Sequence, residues 1–199
     1  MKEPFLYIHH FEPSSRANGP GLRAVLWVQG CSLGCPGCFN PETHSRPKAG
    51  AQPGTPSIVG EYWPVSFIMD KILAEQSRIE GVTISGGEPL QQRPALEILL
   101  NRIRHETSLS VLLFSGYTWL EIQKMRRIER LLPAIDVLLA GRYDESQRIA
   151  AGLTGSANKT IHFLSNRYSS ADLRPVPVAE VILTELGEIH LTGINPLHW

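Results

Sequence analysis

The stretch Cys31-Ser32-Leu33-Gly34-Cys35-Pro36-Gly37-Cys38 contains every cysteine of the 199-residue chain. The cysteines follow the spacing C-x3-C-x2-C. Thiolates this close together can converge on one inorganic centre, and iron–sulfur clusters are held by cysteine thiolates, usually four of them. A cubane cluster bound here would keep one iron without a protein sulfur, and an open position on a metal is where catalysis takes place.

Two other interpretations fit the same spacing. A zinc site would need a fourth ligand, and His44 lies close in sequence. The thiols could also be buried and bind no metal. Short cysteine clusters in a reducing compartment usually bind metal, so the spacing favours an iron–sulfur cluster over these alternatives.

The composition places the chain among ordinary globular proteins. Hydrophobic residues make up 42% and charged residues 19%, and the formal net charge is zero. This balance predicts no surface of one sign for nucleic acid or a membrane. The N-terminus lacks a signal-peptide pattern, and no apolar run approaches the roughly 20 residues of a membrane helix. Clustered cysteines argue against a disulfide framework, so we expect a cytoplasmic protein in a reducing, anaerobic setting.

A second motif follows the short strand predicted over residues 82–85. Gly86, Gly87 and Glu88 come directly after it, a pattern that fits a tight turn as well as a binding site. Glycines let a backbone approach a ligand, and we expect their free N–H groups to face it. The cysteine stretch upstream favours the binding interpretation, because independent motifs in the right order reinforce each other. A strand leading into such a loop fits a site at the carboxyl ends of parallel strands.

These motifs resemble those of the radical SAM enzymes, whose signature is C-x3-C-x2-C with an aromatic residue beside the last cysteine, here Phe39. Within that family, the chain is most similar to the activating enzymes of glycyl radical enzymes, above all the activase of the anaerobic ribonucleotide reductase. The similarity covers about residues 16 to 166 and rests on the runs 18–23 (NGPGLR), 27–31 (WVQGC), 36–40 (PGCFN), 85–90 (SGGEPL) and 115–119 (SGYTW).

The resemblance implies that Cys31, Cys35 and Cys38 bind a [4Fe–4S] cluster whose open iron chelates S-adenosylmethionine (SAM). It implies reductive cleavage of SAM to a 5′-deoxyadenosyl radical that abstracts a glycine hydrogen from a partner glycyl radical enzyme, with no catalytic residue beyond the cluster and SAM ligands. It also implies an external electron donor, flavodoxin or a ferredoxin-like protein, because no cysteine remains for a second cluster. The residues implied to contact SAM are Phe39, Ser85, Gly86, Gly87, Glu88, Ser115 and Tyr117.

Two alternative functions stay open at this point. The same motifs fit a radical SAM enzyme that modifies a small molecule or a peptide. Such an enzyme needs a closed pocket, whereas an activase needs an open face for a peptide loop. A non-catalytic metal-binding or electron-transfer module fits the cysteines, but the glycine pair followed by Glu88 argues against it.

The order of elements predicted between residues 22 and 164 is strand, helix, strand, helix, strand, helix, strand. Such alternation predicts a parallel sheet with crossover helices. The units are too few for an eight-stranded barrel, so we predict an α/β fold built as an incomplete parallel (β/α) barrel. Phe5–His9 is predicted as an edge strand, and residues 41–63 as a long loop without a period.

Local patterns add further expectations. The helix predicted over 94–106 has leucines at helical spacing, and Thr118 opens a capping box. We expect Ser66 to cap a helix over 65–79, and Arg23 to lie on solvent or on the active-site surface. The turn over residues 155–158 is interpreted as packing the last strand, and His10 as a strand residue more often than a ligand.

The C-terminal part alternates in the manner of strands. Residues 178–184 and 188–192 predict two strands joined around Leu186 and Gly187 as a hairpin. We interpret residues 167–199 as a C-terminal β extension of a core over about 16–166. With no internal repeat and no composition break, residues 1–199 are predicted to form a single radical SAM domain.

Overall fold

The computed structural model describes residues 3–46, 59–183 and 187–194. The strands are β1 (Phe5–Ser15), β2 (Arg23–Val28), β3 (Glu61–Pro64), β4 (Gly81–Gly86), β5 (Ser110–Ser115), β6 (Val137–Ala140), β7 (Arg148–Ala151), β8 (Thr154–Ser156), β9 (Thr160–Phe163), β10 (Glu180–Leu183) and β11 (Ile189–Thr192). The helices are α1 (Val65–Glu75), α2 (Arg93–Glu106), α3 (Trp119–Gln123) and α4 (Ser170–Leu173). Among these residues no helix has the length and apolar character of a membrane span.

A mixed sheet with the strand order β3-β1-β2-β4-β5-β6-β9 forms the centre of the fold. Strands β2, β4, β5 and β6 pair in parallel. Their side chains are almost entirely buried, which explains why they are near-continuous apolar runs. Helices α1 and α2 cover one face with buried Ile68, Ile72, Leu96 and Leu99. The prediction of an α/β fold is confirmed.

The two flanks of the sheet differ from the prediction. Strand β1 is not an edge strand, because it pairs with β2 on one side and β3 on the other, both antiparallel. The edge strand β3 overlaps the end of the predicted 41–63 loop, of which residues 47–58 lie outside the described residues. Strand β9 pairs antiparallel with β6, so the prediction of a wholly parallel sheet is wrong. The short β7–β8 pair replaces a crossover helix before β9.

The helix boundaries follow local chemistry. The capping box is confirmed, since the Thr118 side chain accepts from the Glu121 N–H and the Glu121 side chain accepts from the Thr118 N–H. Ser66 does not cap α1, because its hydroxyl instead hydrogen-bonds to the Glu3 carboxylate and Pro64 occupies the cap position. Helix α3 is only five residues long, where the sequence predicted a helix to residue 131.

Arg23 is buried at the start of β2, so the prediction that it lies on the surface is wrong. Its guanidinium donates to Thr83 Oγ1 at 2.8 Å, to Ser110 Oγ at 2.9 Å and to Val82 O at 2.9 Å. Gly19 lies against this side chain with φ +145°, and a Cβ there would stand 2.6 Å from Arg23 Cδ. The run over residues 18–23 therefore packs around the Arg23 side chain at the start of β2.

The C-terminal strands β10 and β11 pair antiparallel as a separate two-stranded sheet. Residues 184–186, where the predicted connection begins, lie outside the described residues. The Glu180 carboxylate accepts from Ser15 Oγ at 2.6 Å and from the Arg16 N–H at 2.8 Å. Asn18 Nδ2 donates to Thr192 Oγ1 at 2.8 Å. These hydrogen bonds attach the strand pair to the turn that follows β1.

Candidate active site

A cavity of about 400 Å³ lies where β2, β4 and β5 end. The three cysteine thiols line it, each half-buried and none in a disulfide. The carboxyl ends of parallel strands meet at one edge of a sheet, and connecting loops there commonly form a binding site. The structure thus brings Cys31, Cys35 and Cys38 together, as the sequence predicted.

The three thiols are not as close together as the ligands of a single zinc ion. Around one tetrahedral zinc, thiolate sulfurs lie about 3.8 Å apart. The three Sγ atoms do not form a group within 4.8 Å of one another, and His44 joins no such group among the described residues. Burial raises the pKa of the Cys31 and Cys38 thiols, so a positively charged centre is needed to hold them as thiolates.

The backbone of the glycine pair packs directly against the backbone at the end of β2. Gly87 N–H donates to Val28 O at 2.7 Å, and Glu88 N–H donates to Gly30 O at 3.0 Å. A Cβ on Gly87 would stand 2.4 Å from Gly30 O. The prediction that free N–H groups of the glycines face a ligand is therefore wrong for Gly87. The pair instead fixes the chain just before Cys31.

Glu88 is fully buried and joins two loops. Its carboxylate accepts from the Leu90 N–H at 2.9 Å, from Ser115 Oγ at 3.0 Å and from the Gly116 N–H at 2.7 Å. Burial raises the pKa of Glu88 to about 7, against the lowering effect of these hydrogen bonds. Since a carboxylate offers about four acceptor positions, roughly one is left for a cationic ligand in the cavity.

Phe39 forms part of the wall beside the cysteines. Its ring packs on Tyr143 with centroids 4.5 Å apart, and the Arg148 guanidinium lies 4.8 Å from its centroid. Gly155 lies behind the ring, where a Cβ would stand 2.2 Å from Phe39 Cε2. The turn that begins at Gly155 therefore leaves room for Phe39, a role that the sequence analysis missed.

Lys159 was also missed. Among the described residues, no other lysine or arginine lines the cavity. Lys159 Nζ donates to Gly141 O at 2.6 Å. Burial lowers the pKa of Lys159, while the nearby Cys35, Glu88 and Cys38 raise it. Only the run Gly-Ser-x-Asn just before it pointed to this region, and no pattern in the sequence marked the lysine itself.

The residues implied to contact SAM divide into two groups. Tyr117 does not line the cavity; its ring faces a neighbouring groove, where the hydroxyl accepts from Gln91 Nε2 at 3.1 Å. The other residues of the set line the cavity, and they are Phe39, Ser85, Gly86, Gly87, Glu88 and Ser115.

Comparison with known proteins identifies the family. A family model described as a 4Fe-4S single cluster domain matches residues 17–162. The anaerobic ribonucleoside-triphosphate reductase-activating protein of Vibrio cholerae is 33% identical over 163 residues, covering 77% of this chain and 96% of that protein. The chain belongs to the family of the anaerobic ribonucleoside-triphosphate reductase-activating proteins. The protein of the same name from Escherichia coli K12 is 30% identical, covering 78% of this chain and 97% of its own length.

A third relative has a different partner in its name. The pyruvate formate-lyase-activating enzyme of Staphylococcus aureus is 30% identical over 181 residues, covering 89% of this chain and 68% of that protein. The resemblance to radical SAM activating enzymes is thereby confirmed, with a [4Fe–4S] cluster and SAM as cofactors. The family model ends at residue 162, so β10 and β11 lie beyond it.

Proposed function

We propose that this chain is the radical SAM activating enzyme of a glycyl radical enzyme, and that its partner is an anaerobic ribonucleotide reductase. The observation that carries the proposal is the common cavity shared by three thiols and the buried carboxylate of Glu88. The names of the relatives from Vibrio cholerae and Escherichia coli support the choice of partner.

In this proposal Cys31, Cys35 and Cys38 hold the [4Fe–4S] cluster, and the loops after β4 and β5 hold SAM. When bound, these cofactors supply a reductive C–S cleavage whose product, a 5′-deoxyadenosyl radical, abstracts the glycine hydrogen. The residues proposed to contact SAM remain Phe39, Ser85, Gly86, Gly87, Glu88, Ser115 and Tyr117. Placement in the cavity wall supports all of these except Tyr117.

The chain's own groups have distinct tasks. Glu88 offers its remaining acceptor position to the amino group of SAM, and its other hydrogen bonds keep the carboxylate oriented. Lys159 places a half-buried positive charge beside the thiolates. Phe39 and Tyr143 form an aromatic wall that excludes water from the reacting centre.

We also propose an architecture, a cellular compartment and an electron donor for this chain. The parallel strands β2, β4, β5 and β6 form the wall of an incomplete barrel, and residues 1–199 form one radical SAM domain. The antiparallel β10–β11 pair is the C-terminal hairpin extension of that domain. Thiols outside any disulfide support a reducing cytoplasm, and the electron comes from a flavodoxin or ferredoxin-like donor.

The partner is tested by mixing the reduced, cluster-loaded protein with SAM and an anaerobic ribonucleotide reductase under anaerobic conditions. We expect the electron paramagnetic resonance doublet of a glycyl radical on the reductase, absent with Cys35→Ala. SAM cleavage without a doublet on the reductase would exclude this partner.

A second candidate is a radical SAM enzyme that acts on a small molecule or a short peptide. The observation in its favour is that residues beyond the family model form one wall of the cavity, among them Ile182, His190 and Leu191. Such a wall narrows the space available to a large protein substrate. Modification of a small substrate, with no radical on any glycyl radical enzyme, would support this candidate.

A further inference from the structure

His10, Glu12 and His190 form a cluster in the wall of the cavity and are separate in sequence from the cysteine stretch. Each offers one ligand atom, and these atoms all lie within 4.8 Å of one another. All of these side chains line the cavity. We propose that they form a binding site for one divalent transition metal ion, of the zinc class, which fastens the C-terminal strand pair to β1.

A bulge in β1 aims two of the ligands into the cavity. Ile8 pairs with Val28, but His10 pairs with Trp27, so β1 contains one extra residue at this point. The extra residue reverses the alternation of side chains along the strand. Ile8 therefore faces the hydrophobic core, whereas His10 and Glu12 both face the cavity. Bulges next to binding sites commonly redirect side chains in this way.

One ring nitrogen of His190 has no hydrogen-bond partner. Its Nδ1 atom is buried. Among the described residues it is the one buried side-chain nitrogen or oxygen without a hydrogen-bond partner. It lies 3.7 Å from Glu12 Oε2, which is beyond hydrogen-bond range. A buried polar atom without a partner costs free energy, and an ion between Nδ1 and the carboxylate would satisfy it.

A carboxylate lies near the second ring nitrogen of His190, at a separation longer than a hydrogen bond. The other ring nitrogen, Nε2, lies 3.8 Å from Glu188 Oε2. Metal-ligating histidines usually direct their second ring nitrogen toward a carboxylate or a carbonyl, which fixes the tautomer. Glu12 is oriented too, because its Oε1 accepts from the Ser14 N–H at 3.3 Å and leaves Oε2 toward His190.

The donor set selects the metal class. Two imidazoles and one carboxylate suit zinc, with a fourth position open to water. Ligand atoms around a tetrahedral zinc lie about 3.3 Å apart, so the cluster needs to contract by at most about 1.5 Å.

The ion would complete an attachment that the protein chain begins. The Glu180 carboxylate already binds Ser15 and Arg16, and Asn18 binds Thr192. A metal between β1 and β11 adds a further link on the cavity side of the strand pair. This inference uses none of the cluster or SAM ligands, so it stands or fails independently of the proposed function.

The test uses the full-length protein loaded with its [4Fe–4S] cluster, so that the cysteines are occupied. The protein is incubated with Zn²⁺, desalted, and analysed for zinc and iron by mass spectrometry. Zinc X-ray absorption fine structure then identifies the ligand atoms. The variants are His190→Ala and Glu12→Gln, and the matched control is His105→Ala, an exposed histidine on α2.

We expect the unmodified protein and the control to retain about one zinc per chain with nitrogen and oxygen ligands, including imidazole. The two variants should bind zinc at least tenfold more weakly. Zinc should also slow amide hydrogen exchange in β10. A sulfur shell, equal retention by His190→Ala and Glu12→Gln, or no retained zinc would overturn the site. Unchanged exchange in β10 would overturn its fastening role.

Discussion

The carboxylate of Glu88 accepts a 2.7 Å hydrogen bond from the backbone N–H of Gly116. This contact joins the loop after β4 to the loop after β5, and Ser115 Oγ adds a second link to the same carboxylate. The glycine pair before Glu88 is in turn hydrogen-bonded to the backbone that leads to Cys31. The cysteine stretch, the turn ending in Glu88 and the turn at Ser115 and Gly116 are far apart in sequence. Hydrogen bonds connect them into one structure around the cavity.

Glu88→Gln should weaken SAM binding. A neutral amide cannot offer a charged acceptor to the amino group of SAM, and its NH₂ group faces N–H donors that need an acceptor. Hydrogen bonds to charged groups contribute about 1.5–3 kcal/mol, which corresponds to a roughly 10- to 100-fold loss of affinity. Calorimetric titration of the cluster-loaded protein measures it, with the exposed Glu129→Gln as control. Equal affinity in the Glu88 and Glu129 variants would contradict the assignment.

The stability of the protein should fall as the pH rises through the titration of Glu88. Its pKa is about 7 in the folded protein and 4.5 without burial, so between these values the folded state holds a proton that the unfolded state has released. The free energy of unfolding should therefore fall by about 2 kcal/mol between pH 5.5 and 7.5. Urea denaturation of the cluster-loaded protein measures this slope. Glu88→Gln should lack that part of the slope; an unchanged slope would refute the titration.

Gly155→Ala should displace the Phe39 ring, because the new Cβ would stand 2.2 Å from Phe39 Cε2. We expect a roughly tenfold loss of SAM affinity from a misplaced wall. The control is Ala157→Ser, an exposed position in the same turn. In a Phe39→Leu background the further change Gly155→Ala should weaken SAM binding much less than it does beside Phe39, as the smaller side chain gives room. An equal loss in both backgrounds would show that the turn acts through something other than Phe39.

Lys159→Met should make the reduction potential of the cluster more negative. The half-buried ammonium lies near Cys35 and Cys38, so its positive charge favours the added electron of the reduced cluster. Removing it should shift the potential by roughly 50 mV. A redox titration followed by electron paramagnetic resonance measures the shift, with the exposed Lys124→Met as control. An equally small shift of the reduction potential in both variants would show that the Lys159 charge does not act on the cluster.

Local patterns predicted the parallel part of the fold well. The spacing of Leu96, Leu99, Leu100 and Ile103 predicted a buried helix face, and all four side chains are fully buried in α2. The cysteine spacing and the turn ending in Glu88 predicted residues that share one cavity. These predictions succeed because each depends on the period of a single element or on a compact motif.

The features that were missed depend on distant parts of the chain. A four-residue strand such as β9 has the same pattern in either direction, so its antiparallel pairing with β6 was not predictable. Arg23 is buried because Thr83 and Ser110 lie beside it in space and not in sequence. The bulge after Ile8, which aims His10 and Glu12, depends on the register with β2.

The most direct test of the central claim is the cleavage of SAM by the reconstituted protein. The protein is prepared without oxygen, loaded with iron and sulfide, reduced with dithionite and given SAM, and 5′-deoxyadenosine and methionine are quantified. We predict that both products form in equal amounts and that Cys35→Ala abolishes them. A protein that binds zinc in the cysteine stretch and forms neither product would contradict the account.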